Sequence, residues 1–210
     1  MCGIVCAVSD RPVLPLLIEG LKQLEYRGYD SAGVALLDQG KLERIRSVGR
    51  IAQLEAALGP VKDSPASVGI AHTRWATHGA PTQNNAHPHL TPGKLAIVHN
   101  GIIENHLPLR EELQQAGYIF ESETDTEVIL HAVDREYQQS GDLYRAVAAT
   151  VKRLKGAYAI GLMCTDEPRR IVGARSGSPM VVGIAENSGY IASDMAALLS
   201  VTQNFYIIED

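Results

Sequence analysis

Cys2 directly follows the initiator methionine. Removal of Met1 would leave a thiol and a free α-amine on one Cα, a nucleophile and a base within a single residue. Their ordinary pKa values, about 8.5 and about 7.7–8.0, let each reach its working protonation state near neutrality. An N-terminal amine can activate a neighbouring nucleophile, and proton transfer favours a base whose pKa lies near ambient pH. Taken alone, Cys2 reads better as a small buried thiol in a core strand, which is where most free cysteines belong. Cys6 has the same parity in an extended strand, but four residues at about 3.3 Å rise put it roughly 13 Å away, too far for a disulfide. Cys6 and Cys164 read as core residues.

Four of the seven histidines, His72, His78, His87 and His89, lie close together in the sequence, which raises the question of zinc. Their spacing matches neither HxxxH on a helix nor paired CxxC, and Pro88 breaks any helical face. No metal and no cofactor is assigned. Ser176-Gly177-Ser178-Pro179 sits between strands with no helix behind it, so it reads as a turn rather than a phosphate loop.

Such residues need elements to hold them. MCGIVCAV is a short apolar, β-branched run stopped by Ser9-Asp10-Arg11-Pro12, the pattern of a buried strand entering a turn. Leu14, Leu17, Leu21 and Leu24 recur at helical spacing, predicting an amphipathic helix over 13–26 with Gly28 behind it as a possible cap. SAGVALLD, the turn Gln39-Gly40 and LERIRSVG read as a hairpin, and Ile51, Leu54 and Leu58 mark a short helix ended by Gly59-Pro60. Two short apolar strands, 67–73 and 95–99, flank a polar segment of about twenty residues, a length uncommon in compact domains and usually functional. Three helical patterns follow, around Leu107 to Ala116, around Val128 to Val133, and from Leu143 to Leu154. The chain then returns to strands in AYAIGLMC, RRIVGAR, MVVGIA, GYIAS and FYIIE. Strands, then helices, then a strand meander predict an α+β fold with layered antiparallel sheets, not a doubly wound one.

The 210 residues carry 19 Lys+Arg against 24 Asp+Glu, a net charge of −5, with 45% hydrophobic residues. That mild acidity excludes a nucleic-acid or anionic-membrane surface held by bulk charge. Three cysteines in a chain this long make no disulfide framework, so a reducing compartment is expected. The start has no basic segment before an apolar run, and no stretch has the length to cross a bilayer, so the expected location is the cytoplasm. Size scaling predicts roughly 9,500 Å² of folded surface.

The segments MCGIV, YRGYDSAG at 26–33, HTRWATHG at 72–79, NAHPH at 85–89, HNGIIENH at 99–106 and SETDTE at 122–127 together resemble the class II glutamine amidotransferase domain. The resemblance runs in order from residue 2 to the end, so residues 1–210 are expected to form one glutaminase domain. It implies the N-terminal-nucleophile hydrolase fold, a four-layer αββα sandwich with two antiparallel sheets. Within the family the motifs are nearest to the branch that aminates fructose 6-phosphate, whose C-terminal sugar isomerase modules lie outside these residues and whose full-length form is expected to be a homodimer. The branches acting on phosphoribosyl diphosphate or making asparagine share Cys2 and the fold but fit YRGYDSAG and HTRWATHG less well. Cys6 departs from the family, which more often has Gly or Ala there.

The resemblance also implies roles. Cys2 attacks the side-chain amide of glutamine, its α-amine moves the proton, and a γ-glutamyl thioester forms and is hydrolysed. Asn100 and the Gly101 N–H make the oxyanion hole; an Asn-Gly pair is otherwise the strongest two-residue hairpin signal. Arg74 takes the α-carboxylate through its guanidinium fork, with Thr77 and His78 adding hydrogen bonds. Asp125 takes the α-ammonium, and by its position could also cap a helix. Trp75 walls the site, and Arg27 and Gly28 border the nucleophile without a distinct chemical role. Two other readings compete: a glutamine-binding module without catalysis, which would have no use for a nucleophile beside an oxyanion hole, and a zinc hydrolase built on the histidines.

Overall fold

A computed structural model describes residues 2–209. The elements run β1 (Gly3–Val8), α1 (Leu14–Leu24), β2 (Ser31–Asp38), β3 (Lys41–Val48), α2 (Ile51–Ala57), β4 (Val68–Arg74), β5 (His89–Leu90) and β6 (Leu95–Ile103). They continue with α3 (His106–Gln115), α4 (Asp125–Ser140), α5 (Leu143–Val151), β7 (Gly156–Cys164), β8 (Ile171–Ser176), β9 (Val181–Ala185), β10 (Ser188–Ala192) and β11 (Asn204–Ile207). Seven strands form one antiparallel sheet in the order β11-β9-β10-β1-β4-β2-β3, and four form a second, β5-β6-β7-β8.

Strand parity builds the layers. On β1, Val5 and Ala7 pack with Leu17, Leu21 and Leu54 of α1 and α2, while Ile4 and Cys6 face the opposite way. On β6, Leu95 and Ile97 pack with Ile129, Val133 and Val147 of α4 and α5, while Ala96 and Val98 face Ile4, Cys6 and Ile70 of the other sheet. The result is helices, sheet, sheet, helices: the α+β, four-layer αββα arrangement that the resemblance implied. Cys6 and Cys164 are buried in these layers, as expected.

Local chemistry agrees with the elements it was read from. Gln39 and Gly40, both at positive φ, make the tight turn between β2 and β3. Asn100-Gly101, a pair that elsewhere signals a hairpin turn, lies within β6, with Asn100 opposite Ala159 and Gly101 opposite Tyr158 on β7. Gly101 has φ 126°, and a Cβ there would stand 2.0 Å from the Ala157 carbonyl oxygen, so glycine serves the strand itself. One reading needs correction: the N-cap of α4 is Thr124, whose hydroxyl accepts from the Glu127 N–H; Asp125 is the first helical residue.

Candidate active site

The same parity that makes the inter-sheet layer makes the site. Cys2 continues the inward face of Ile4 and Cys6 to the rim of the sandwich, and Arg74 does so for His72 and Ile70 on β4. Asn100 continues the face of Ala96 and Val98 on the opposing sheet. All three therefore converge at one end of the layer between the sheets.

Cys2 is half-buried, and its Sγ accepts from the Trp75 N–H at 3.3 Å. Burial pushes the thiol pKa up, with the Trp75 N–H and the Arg74 charge opposing; the resting group is therefore the protonated thiol, which needs a base to react. The carbonyl of Cys2 accepts from Asn100 Nδ2 at 3.0 Å and from Arg27 Nε at 3.2 Å. Arg27 also pairs with Asp194 at 3.5 Å. Gly28 packs on the backbone of Arg74 and Trp75, where a Cβ would come within 2.7 Å. Arg27 and Gly28, which had no role in the sequence, thus brace the strand ends carrying Cys2 and Arg74.

Asn100 and Gly101 line a cleft of about 250 Å³ with Cys2, Trp75, Thr77 and Ser178-Pro179 of the predicted turn. A second, narrow pocket of about 10 Å³, which shares Cys2, Trp75, Thr77 and Gly101 with that cleft, is lined by Arg74, His78, His99 and Asp125, among others. That volume admits no more than one water. Arg74 is buried, and its guanidinium donates to the carbonyls of His78, Gly79 and Ala80 at 2.5, 3.2 and 3.3 Å, folding that loop over the pocket. Asp125 accepts from the Ile103 N–H at 2.8 Å, which ties the start of α4 to β6. Trp75 is exposed at the mouth, with the Tyr29 ring edge-on at 5.5 Å.

The histidines group differently from their sequence spacing. His72, His87, His89 and His99 are buried together, with the His72 and His87 ring centroids 4.2 Å apart, while His78 lies against His106. Thr126 Oγ1 joins His87 Nε2 and His99 Nδ1 at 3.0 and 2.9 Å, and Thr124 Oγ1 meets His89 Nε2 at 3.0 Å. Burial lowers the pKa of all four, that of His72 and of His89 to about 3, so they are neutral. Among the described residues no group of three or more His, Cys, Asp or Glu side chains is arranged to hold a metal.

Sequence reasoning passed over three contributors. Asp30, within YRGYDSAG, donates its N–H to the Arg74 carbonyl and accepts from the Ala76 N–H, holding Trp75 from both sides. Ser193 and Asp194, far along the chain, bond to Asn100 and Arg27. Asp30 stood in a quoted motif; Ser193 and Asp194 carry no local signal at all.

Comparison with known proteins gives consistent findings. The glutamine amidotransferase domain family matches residues 72–200. The chain is 56% identical to glutamine–fructose-6-phosphate aminotransferase (isomerizing) of Bordetella pertussis and 54% identical to that of Pseudomonas aeruginosa, in each case over the whole chain and 35% or 34% of the relative. It thus spans about a third of the length of these curated relatives. Glutamine phosphoribosylpyrophosphate amidotransferase from B. subtilis superposes with a TM-score of 0.80 at 27% identity, over 94% of this chain and 43% of that one. A glutamine aminotransferase class-II domain protein from Silicibacter pomeroyi, at 15% identity and TM-score 0.61 over 99% of this chain and 91% of that one, shares the fold.

Proposed function

The chain belongs to the glutamine amidotransferase domain family, and from that premise we propose that it hydrolyses the side-chain amide of glutamine to glutamate and ammonia with Cys2 as nucleophile. The observation that carries this reading is the convergence on Cys2 of a cleft lined by Asn100 and Gly101 and a pocket lined by Arg74 and Asp125.

In the proposed reaction the Cys2 sulfur attacks the amide carbon while its proton passes to the α-amine freed by loss of Met1, a residue outside those described. The oxyanion of the tetrahedral adduct is met by Asn100 Nδ2, through the hydrogen that rests on the Cys2 carbonyl, and by the Gly101 N–H, both neutral donors of the kind that stabilise developing charge. The amine returns the proton to the departing nitrogen, ammonia leaves, and a thioester remains. Water attacks the thioester through the same oxyanion site, releasing glutamate and restoring the thiol. Arg74 holds the α-carboxylate with guanidinium donors not given to the loop, Thr77 and His78 support it, and Asp125 holds the α-ammonium. Trp75 covers the mouth, and Arg27 and Gly28 brace the nucleophile. The pocket is too narrow for glutamine as it stands, so binding requires the 76–80 loop to move.

The curated relatives are named for fructose 6-phosphate. We therefore propose that in the full-length protein the ammonia goes to fructose 6-phosphate, giving glucosamine 6-phosphate on C-terminal isomerase modules, in a homodimer located in the cytoplasm. No helix among the described residues is long and apolar enough to cross a membrane.

The test is glutamate release by the 210-residue chain. Cys2→Ala is expected to abolish it while glutamine still binds, and glutamine turnover by that variant would place the nucleophile elsewhere. Intact mass should show active protein without Met1; full activity in material retaining Met1 would refute the α-amine as base.

A further inference from the structure

The carboxamide of Asn100 lies between the two sheets with a partner on each polar edge. The Cys2 carbonyl can only accept, so the group facing it at 3.0 Å is the NH₂ of Asn100. The amide oxygen therefore faces His72 Nε2, also at 3.0 Å, and that nitrogen must carry a hydrogen. The second amide hydrogen goes to Ser193 Oγ at 2.7 Å. Ser193 is itself fastened to β1 by both ends of one residue: its N–H donates to the Ile4 carbonyl at 3.1 Å, and its Oγ accepts from the Ile4 N–H at 2.9 Å. The serine is buried.

We propose that Ser193 is a positioning residue for catalysis, holding the Asn100 amide so that one of its hydrogens is directed at the oxyanion formed on Cys2. The proposal rests on the glutaminase reading above. The terminal torsion of asparagine is broad and roughly two-fold, so the side chain alone does not choose which edge faces Cys2. His72 and Ser193 make that choice from opposite sides. With one hydrogen committed to Ser193, the other rests on the carbonyl of Cys2, the residue that also carries the sulfur. When the tetrahedral adduct forms, that hydrogen moves from the carbonyl to the oxyanion without turning the amide over. Such preorganisation acts in the transition state and not in substrate binding. Asp194, the next residue, pairs with Arg27, the other donor to the Cys2 carbonyl, so the corner after β10 reaches Cys2 along two routes.

The test is a double-mutant cycle on glutamine hydrolysis by the 210-residue chain. Ser193→Ala is expected to lower kcat by about tenfold, the value of one ordinary hydrogen bond, with KM within about twofold. Asn100→Ala is expected to lower kcat by about 100-fold or more. The double variant should match Asn100→Ala, because Ser193 acts only through Asn100. Losses that multiply in the double variant, or a raised KM with unchanged kcat in Ser193→Ala, overturn the assignment. If Ser193→Ala does not fold, the parent protein still decides: the Asn100 NH₂ should give two resolved, slowly exchanging proton resonances, one with an NOE to the Ser193 β-protons, and an averaged, fast-exchanging pair overturns it. A parent chain that does not release glutamate sinks the proposed function, and this assignment with it; an active parent with an additive cycle sinks the assignment alone.

Discussion

At the residue scale the site is a set of groups with more than one task. Arg74 is the clearest case, since its guanidinium holds the carbonyls of residues 78–80 and is also the proposed grip for a carboxylate. Lysine would keep the charge but lose the planar fork that serves several acceptors at once. Arg74→Lys is therefore expected to raise KM for glutamine by about 100-fold with a much smaller change in kcat, the signature of lost uniform binding. Equal losses in kcat and kcat/KM would instead assign Arg74 to the transition state. Trp75, the protein's single tryptophan, lies beside both Cys2 and the loop that must move, so glutamine binding to Cys2→Ala should change its fluorescence; no change at saturating glutamine would mean that the loop stays in place.

At the scale of elements, the end of β6 and the start of α4 are where sequence chemistry is least negotiable. Gly101→Ala would place a methyl 2.0 Å from the Ala157 carbonyl oxygen at φ 126°, a strain of roughly 3 kcal/mol or more that neighbouring backbone cannot relieve. A urea melt should show it, and a stability within about 1 kcal/mol of the parent would mean that β6 and β7 can separate locally. Thr124 caps α4 and also meets His89 and Ser122. Thr124→Ala should cost about 1 kcal/mol or more for the cap. Asn-Gly is ordinarily a hairpin signal because it favours positive φ, and β6 uses the positive φ of Gly101 within a paired strand instead of in a turn.

At the scale of the whole molecule, the core holds four neutral imidazoles as well as aliphatic side chains: His72 on the face of β4 between the sheets, His89 and His99 on the face of β5 and β6 that packs on α4, and His87 beside all three. A histidine held neutral has a folded pKa below its unfolded value of about 6.5, so in acid the unfolded chain binds protons that the folded chain refuses. Stability should therefore fall as pH drops from 6.5 towards about 3, by up to about 1.4 kcal/mol per pH unit for each histidine, and it should be fully present above 6.5. Urea midpoints between pH 8 and pH 5, above the range where carboxylates titrate, would measure this; a flat profile would mean that the imidazoles are protonated in the fold. The accessible surface of 9682 Å² agrees with the size scaling. The sequence by itself determined the order and kind of the elements, because strand parity, helical spacing and turn chemistry are written within a few neighbouring residues, and through its family motifs it pointed to the nucleophile candidate and the residues around Cys2. Only the tertiary structure decided that Asn100 is held by His72 and Ser193, that Arg27 is tied to Asp194, that Arg74 grips its own loop and that the pocket is narrow. Those facts depend on how one sheet sits on the other and on contacts as far apart as Ile4 and Ser193, 189 positions along the chain, for which no local pattern of side chains exists.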